Sequence, residues 1–148
     1  MSDQLIEAAI SGNRRSIART LTGLENGQIT LGQIKQIADI SMLSKGTEHW
    51  RSIAITGAPG VGKSCLIDKL LATWAGSGLK IALLAIDPSS PRTGGALLGD
   101  RVRITAIDLV DIKENIYVRS IATRKSSGSV PLIVSDMIEF LILAGWDR

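Results

Sequence analysis

Residues 57–64 read GAPGVGKS, set between the apolar run RSIAIT (51–56) and the helix-like stretch CLIDKLLATWA (65–75). Three glycines and a proline let the backbone curl tightly, so that its N–H groups line a hollow suited to an anion. In this pattern Lys63 brings a mobile positive charge to the outer phosphates, and the Ser64 hydroxyl is a Mg²⁺ ligand. A helix starting near Gly62 presents unpaired N–H groups and a positive dipole end to the same point. The stretch satisfies G-x-x-x-x-G-K-[ST] at every fixed position, between an expected strand and an expected helix, which is the context the motif requires. It reads as a phosphate cradle for a nucleotide.

The rest of the composition narrows the setting. A chain of 148 residues holds one domain with a sizeable core and is too short for two full ones. An apolar content of 45% against 21% charged reads as globular. The net charge of +3 suits a phosphate ligand, but no dense Lys/Arg block with interleaved aromatics argues for nucleic acid. The densest basic patch, NRRSIAR (13–19), reads as a solvated helix face. A lone cysteine, Cys65, has no partner for an internal disulfide, which fits a reducing cytoplasmic compartment, and it reads as a small buried filler. The N-terminus MSDQLIEAAISGNRR has early acids and no apolar signal region, nor is a transit peptide seen. The most apolar stretch, VPLIVSDMIEFLILAGW (130–146), carries Asp136 and Glu139 and is too short to span a bilayer. No membrane role is expected.

Two segments follow from the patterning: a helical N-terminal segment over 1–47 and a nucleotide-binding domain over 48–148. In the first, Asp3 is an expected cap for a helix through Ile10, and SGN breaks it. Asn13 caps a second helix that buries Ile17 and Leu21. Thr30 opens a third, in which Leu31, Ile34, Ala38 and Met42 recur at helical spacing and Gly46 is the stop. His49 stands beside Trp50 with no ligand set around it and reads as a surface or packing residue. From residue 51, strands RSIAIT, KIALLAI (80–86) and NIYVRSI (115–121) alternate with helices over about 62–76, 96–107 and 131–144, the last with Ser129 and Pro131 as start signals. Short, almost wholly apolar strands in βαβαβα order predict a right-handed, three-layer α/β fold with a parallel sheet.

AIDPSSPRTGGALLGDR (85–101) is the second informative stretch. Asp87 falls at the carboxyl end of the second strand, where open α/β sheets place their ligand crevice, and a carboxylate there can hold Mg²⁺ or its water. A stiff Pro88-Ser89-Ser90-Pro91 turn followed by Gly94-Gly95 suits a loop that rearranges with the γ-phosphate. Asp100 is either a second magnesium-shell acid or a charge on an exposed helix.

GAPGVGKS, LLAIDPSSPRTGGALLGDRVR (83–103) and RSIATR (119–124) together resemble the ArgK/MeaB family of P-loop GTPases, over nearly the whole chain. The resemblance implies GTP and GDP as ligands, Mg²⁺ as cofactor, and a chaperone-type switch acting on a cobalamin-dependent acyl-CoA mutase. It implies a homodimer in the full-length family, located in the cytoplasm or, in eukaryotic relatives, the mitochondrial matrix. Carried onto these positions, Gly57, Ala58, Pro59, Gly60, Val61, Gly62, Lys63, Ser64 and Cys65 contact the nucleotide. Lys63 also serves catalysis, and Ser64, Asp87 and Asp100 belong to the magnesium and switch region.

The sequence departs from the family pattern in places. Cys65 stands where a Thr is usual, and ATRKSSGSVPL (122–132) lacks the expected Leu-Gly-Gly turn. No Asn-Lys-x-Asp base-recognition motif occurs, and AGWDR (144–148) falls where a strand ending in an acidic, γ-phosphate-sensing segment is expected to start. Residues 1–148 alone are therefore expected to self-associate through an unpaired RSIAIT edge and to turn over GTP at background rate. Other readings of the same residues are a P-loop kinase for a small acceptor and an inactive partner-binding fragment.

Overall fold

The computed structural model describes residues 2–39, 51–88, 111–123 and 132–148. They fall into two compact units, Met1–Ser52 with Leu132–Trp146, and Ile53–Pro131 with Asp147–Arg148. Elements run α1 (Ser2–Ile10), α2 (Arg14–Glu25), α3 (Leu31–Ile37), α4 (Lys63–Gly76), β1 (Ile81–Pro88), a 3₁₀ turn (Lys113–Asn115), β2 (Ile116–Thr123) and α5 (Ile133–Leu143). This is an α/β chain with a parallel strand pair and a helical N-terminal segment.

The first unit is all helix. Asn13 caps α2 through its side-chain oxygen, which accepts from Ser16 N at 3.0 Å. Thr30 caps α3 with a full capping box, its own N–H donating to Gln33 Oε1 at 2.8 Å. Asp3, by contrast, lies inside the first turn of α1 and is not its cap. Ile17, Leu21 and Leu24 recur three to four apart on α2 and are buried, as are Ile6 and Ala9 of α1 and Ile34 of α3. The apolar stretch 130–146 supplies α5, which packs on α2 and α3 and buries Met137 and Phe140. Lys35 pairs with Glu139 at 2.6 Å, and the Arg14 guanidinium lies 6.0 Å from the Trp146 ring centre.

α3 ends sooner than its spacing predicts. Ala38 turns to an extended conformation (φ −80°, ψ 151°), so the helix stops at Ile37. Met42 and Gly46 lie outside the described residues, as do His49, Ser129, Pro131, Asp100 and the expected helix over 96–107.

In the second unit α4 packs on β1, and Leu71 and Ala75 bury against Ile81 and Ile116. The helix ends in a Schellman pattern, with Gly78 N donating to Ala75 O (3.0 Å) and Leu79 N to Trp74 O (3.1 Å). Asn115 Nδ2 donates to Ala75 O at 3.2 Å and ties the 3₁₀ turn to the same helix end. β1 and β2 pair in parallel with Ile81 opposite Ile116 and Asp87 opposite Ala122. The other edge of β1 is also engaged at its start. Asp147 N donates to Lys80 O at 2.9 Å, and Ala82 N donates to Arg148 O at 2.8 Å.

RSIAIT is the segment where the sequence expectation fails. Residues 51–56 form no strand, and Ile53 is 50% exposed. An apolar run supplies β propensity, but a strand exists only through ladder bonds to a neighbour, and none of the described residues provides one here. Among the described residues, no helix is long and apolar enough to cross a membrane.

Candidate functional site

The loop GAPGVG leads directly into α4. Gly60 (φ 80°) and Gly62 (φ 94°) both take left-handed backbone conformations that side-chain-bearing residues rarely adopt. Gly62 is the N-cap of α4 and has no side chain with which to cap it. The first helical bond is Leu66 N to Gly62 O, at 3.0 Å. The N–H groups of Lys63, Ser64 and Cys65 are therefore left without a carbonyl, as at any helix start. Nothing among the described residues takes their place. A run of free donors at a positive dipole end, on residues that are exposed apart from the half-buried Lys63, is a donor set that fits a phosphate.

Lys63 itself is engaged. Its Nζ donates to Gly57 O at 2.8 Å and to Ala58 O at 2.7 Å, so the side chain arches back over the loop. Its stem passes close to Gly57, where a Cβ would lie 3.7 Å from Lys63 Cδ. Sequence alone reads Lys63 as a phosphate ligand and misses this contact, which needs the loop's curvature as well as the lysine ammonium.

The structure brings Gly57, Ala58, Pro59, Gly60, Val61, Gly62, Lys63, Ser64 and Cys65 into one continuous turn and helix start. Ser64 and Cys65 are exposed, which corrects the expectation that Cys65 is a buried filler. The first turn of α4 faces outward, and the sheet contact is made by later residues such as Leu71 and Ala75. Asp87 is the penultimate residue of β1, at the carboxyl end of the parallel pair. The short turn 77–80 reverses the chain between α4 and β1, so the start of the helix and the end of the strand lie toward the same end of this layer. Asp100 lies outside the described residues. Among the described residues no group of three or more His, Cys, Asp or Glu is placed to hold a metal. Mg²⁺ at nucleotide sites takes only one or two protein ligands and fills its shell with phosphates and water, so this does not bear on the expectation for Ser64 and Asp87.

The family model described as methylmalonyl Co-A mutase-associated GTPase MeaB matches residues 17–148. The chain belongs to the MeaB family. Among its relatives, a protein of Pyrococcus abyssi named as a GTPase is 40% identical over 99% of this chain, and 43% of that relative's length is covered. A Mycobacterium bovis protein, also named as a GTPase, is 34% identical over 98% of the chain and 42% of its own length. A fused isobutyryl-CoA mutase of Cupriavidus metallidurans is 35% identical over 96% of the chain, which there corresponds to 12% of a much longer polypeptide. The chain thus spans less than half the length of these relatives. The matched stretch of this chain includes residues 57–65.

Proposed function

We propose that this chain is the nucleotide-sensing front part of a GTP-binding, GTP-hydrolysing switch that acts on a cobalamin-dependent acyl-CoA mutase. The observation that carries the reading is the loop 57–62 opening onto an uncapped helix start, with Lys63 arched over it. On this reading the backbone donors of residues 60–65 and the Lys63 ammonium bind the phosphates, with Ala58, Pro59 and Val61 shaping the wall. Ser64 and Asp87 would hold Mg²⁺, with Asp100 a further candidate. Bound there, Mg²⁺ would neutralise charge on the β- and γ-phosphate oxygens. The chain's own contribution to hydrolysis is positioning: fixed N–H dipoles and one ammonium meet charge that develops on the phosphoryl group.

Family membership supports GTP as the ligand, and the fused isobutyryl-CoA mutase relative supports a mutase as the partner. In that relative a segment like this chain and a mutase share one polypeptide, the arrangement expected of two activities that work on each other. Gating of cofactor loading, and dimerisation of the longer protein, complete the proposal.

Calorimetric titration with GTP, GDP and ATP in the presence of Mg²⁺ tests the reading. Lys63→Ala is expected to weaken triphosphate binding by about ten- to a hundredfold, the loss of one charge-assisted contact, with the fold retained. Unchanged affinity would remove Lys63 from the site. Binding to an acyl-CoA mutase that is the same with GTP and GDP would remove the switch.

A further inference from the structure

Helix α2 carries its charges against its own dipole. Arg14 and Arg15 open it with no acid in the first turn, and Glu25 ends it with no base in the last. A helix favours anions at its start and cations at its end, so this placement is unfavourable at both ends. Arg15 and Arg19 are four apart on one face, where like charges repel. Both are exposed, and neither side chain has an ion-pair or hydrogen-bond partner among the described residues. Arg14, by contrast, is held over the Trp146 ring. A solvated face accounts for the exposure of these residues but not for their sign. Glu in the same places would be equally soluble and would suit the helix, and a local rule broken this way points to a use for the charge.

Three features narrow what such a face can bind. Asn13 already accepts from Ser16 N, so the helix end is capped and the attraction resides in the guanidinium groups. Phe140 and Trp146, the aromatic residues of this unit among those described, are buried, which leaves no ring on which a base could stack. The apolar side of α2, with Ile17, Leu21 and Leu24, is buried in the unit's own core and has nothing to insert into a bilayer. What remains is two planar donor forks one helical turn apart, and these match carboxylates.

We propose that Arg15 and Arg19 dock on a carboxylate-bearing surface of the acyl-CoA mutase and steer that partner onto the helical unit. The inference rests on the function proposed above for the identity of the partner. It adds which face of this chain meets the mutase, and by what chemistry.

The measurement is the association rate of the full chain, with Mg²⁺ and GTP, on an immobilised, cobalamin-loaded acyl-CoA mutase from the organism that encodes it. Arg15→Glu/Arg19→Glu is expected to slow association about tenfold at low salt, a difference that shrinks at about 0.5 M salt. Lys69→Glu/Lys80→Glu makes the same charge change at exposed lysines of the other unit, and should slow it by less than about twofold. Because acids suit the start of α2, Arg15→Glu/Arg19→Glu should also keep or raise the denaturant midpoint. Arg15→Gln/Arg19→Gln, which removes the charges without reversing them, should show a smaller slowing, and it decides if the first variant does not fold. Equal association of wild type and variants, equal slowing by the two charge reversals, or a midpoint lowered in the Gln variant would overturn the proposal and leave the function standing. A wild-type chain that binds no mutase would overturn both. Capture of RNA or of phosphatidylserine vesicles that is lost with the two arginines, while mutase binding is kept, would overturn the proposal in favour of that ligand.

Discussion

Asp147 and Lys80 bind each other in both directions: Asp147 N donates to Lys80 O at 2.9 Å, and Asp147 Oδ2 accepts from Lys80 N at 2.9 Å. With Ala82 N bonded to Arg148 O, this brings a second neighbour to β1 on the edge away from β2. The first residues of β1 are thus those of an interior strand. Asp147→Ala removes one side-chain acceptor and leaves the backbone bonds, so it is expected to destabilise this unit by about 0.5–1.5 kcal/mol. Asp147→Asn keeps an oxygen in place and should be nearly silent. Amide hydrogen exchange at Lys80 reads the difference, and equal protection in wild type and Asp147→Ala would show that the side-chain bond contributes nothing.

Asp87 sits at the carboxyl end of β1, opposite Ala122. If it serves the metal on the γ-phosphate side, Asp87→Asn should weaken Mg²⁺-dependent triphosphate binding by about tenfold, and diphosphate binding by less. Equal losses for the two nucleotides, measured by titration at fixed Mg²⁺, would return Asp87 to a purely structural place at the strand end.

Gly23 is a close-contact glycine. A Cβ there would lie 2.6 Å from Ile29 Cδ1 and 2.8 Å from Cγ1, and Ile29 is itself buried. Gly23→Ala gains up to about 1 kcal/mol of helix propensity but must displace a packed side chain, which costs about 1–3 kcal/mol. A net loss near 1 kcal/mol is expected on chemical denaturation. In an Ile29→Val background, which lacks the nearest atom, the same substitution should cost less. A cost that is the same in both backgrounds would place the strain elsewhere.

Thr20 is fully buried in α2, and its Oγ1 makes no hydrogen bond among the described residues. Burying an unpaired hydroxyl is unfavourable, and Val has nearly the same shape without it. Thr20→Val is therefore expected to stabilise the helical unit by about 1 kcal/mol, read as a higher denaturant midpoint at unchanged slope. A destabilised variant would reveal a hydrogen bond to the hydroxyl in solution.

Much of this protein is local and could be read directly. Asn13 and Thr30 announce their helices because capping is settled within three residues, and the structure places both as expected. GAPGVGKS announces a turn followed by a helix because glycine torsions and the lysine-serine start are properties of neighbouring residues. KIALLAI and NIYVRSI announce strands by their apolar continuity, and they pair in parallel as βαβ order requires.

What the tertiary structure decided is what depends on distant residues. RSIAIT has the composition of a strand and is not one, because ladder bonds need a neighbour that propensity cannot supply. α3 has the spacing to continue to Met42, yet it stops at Ile37, where the backbone of Ala38 turns extended. The apolar stretch 130–146 reads as a buried helix from sequence, but only packing shows that it covers α2 and α3. Lys63 reads as a phosphate ligand, while its hold on Gly57 and Ala58 appears only once the loop has curled. Caps and turns are closed by residues a few places apart, so sequence contains them; ladders and helix contacts are closed across the fold, and there the chain's path decides.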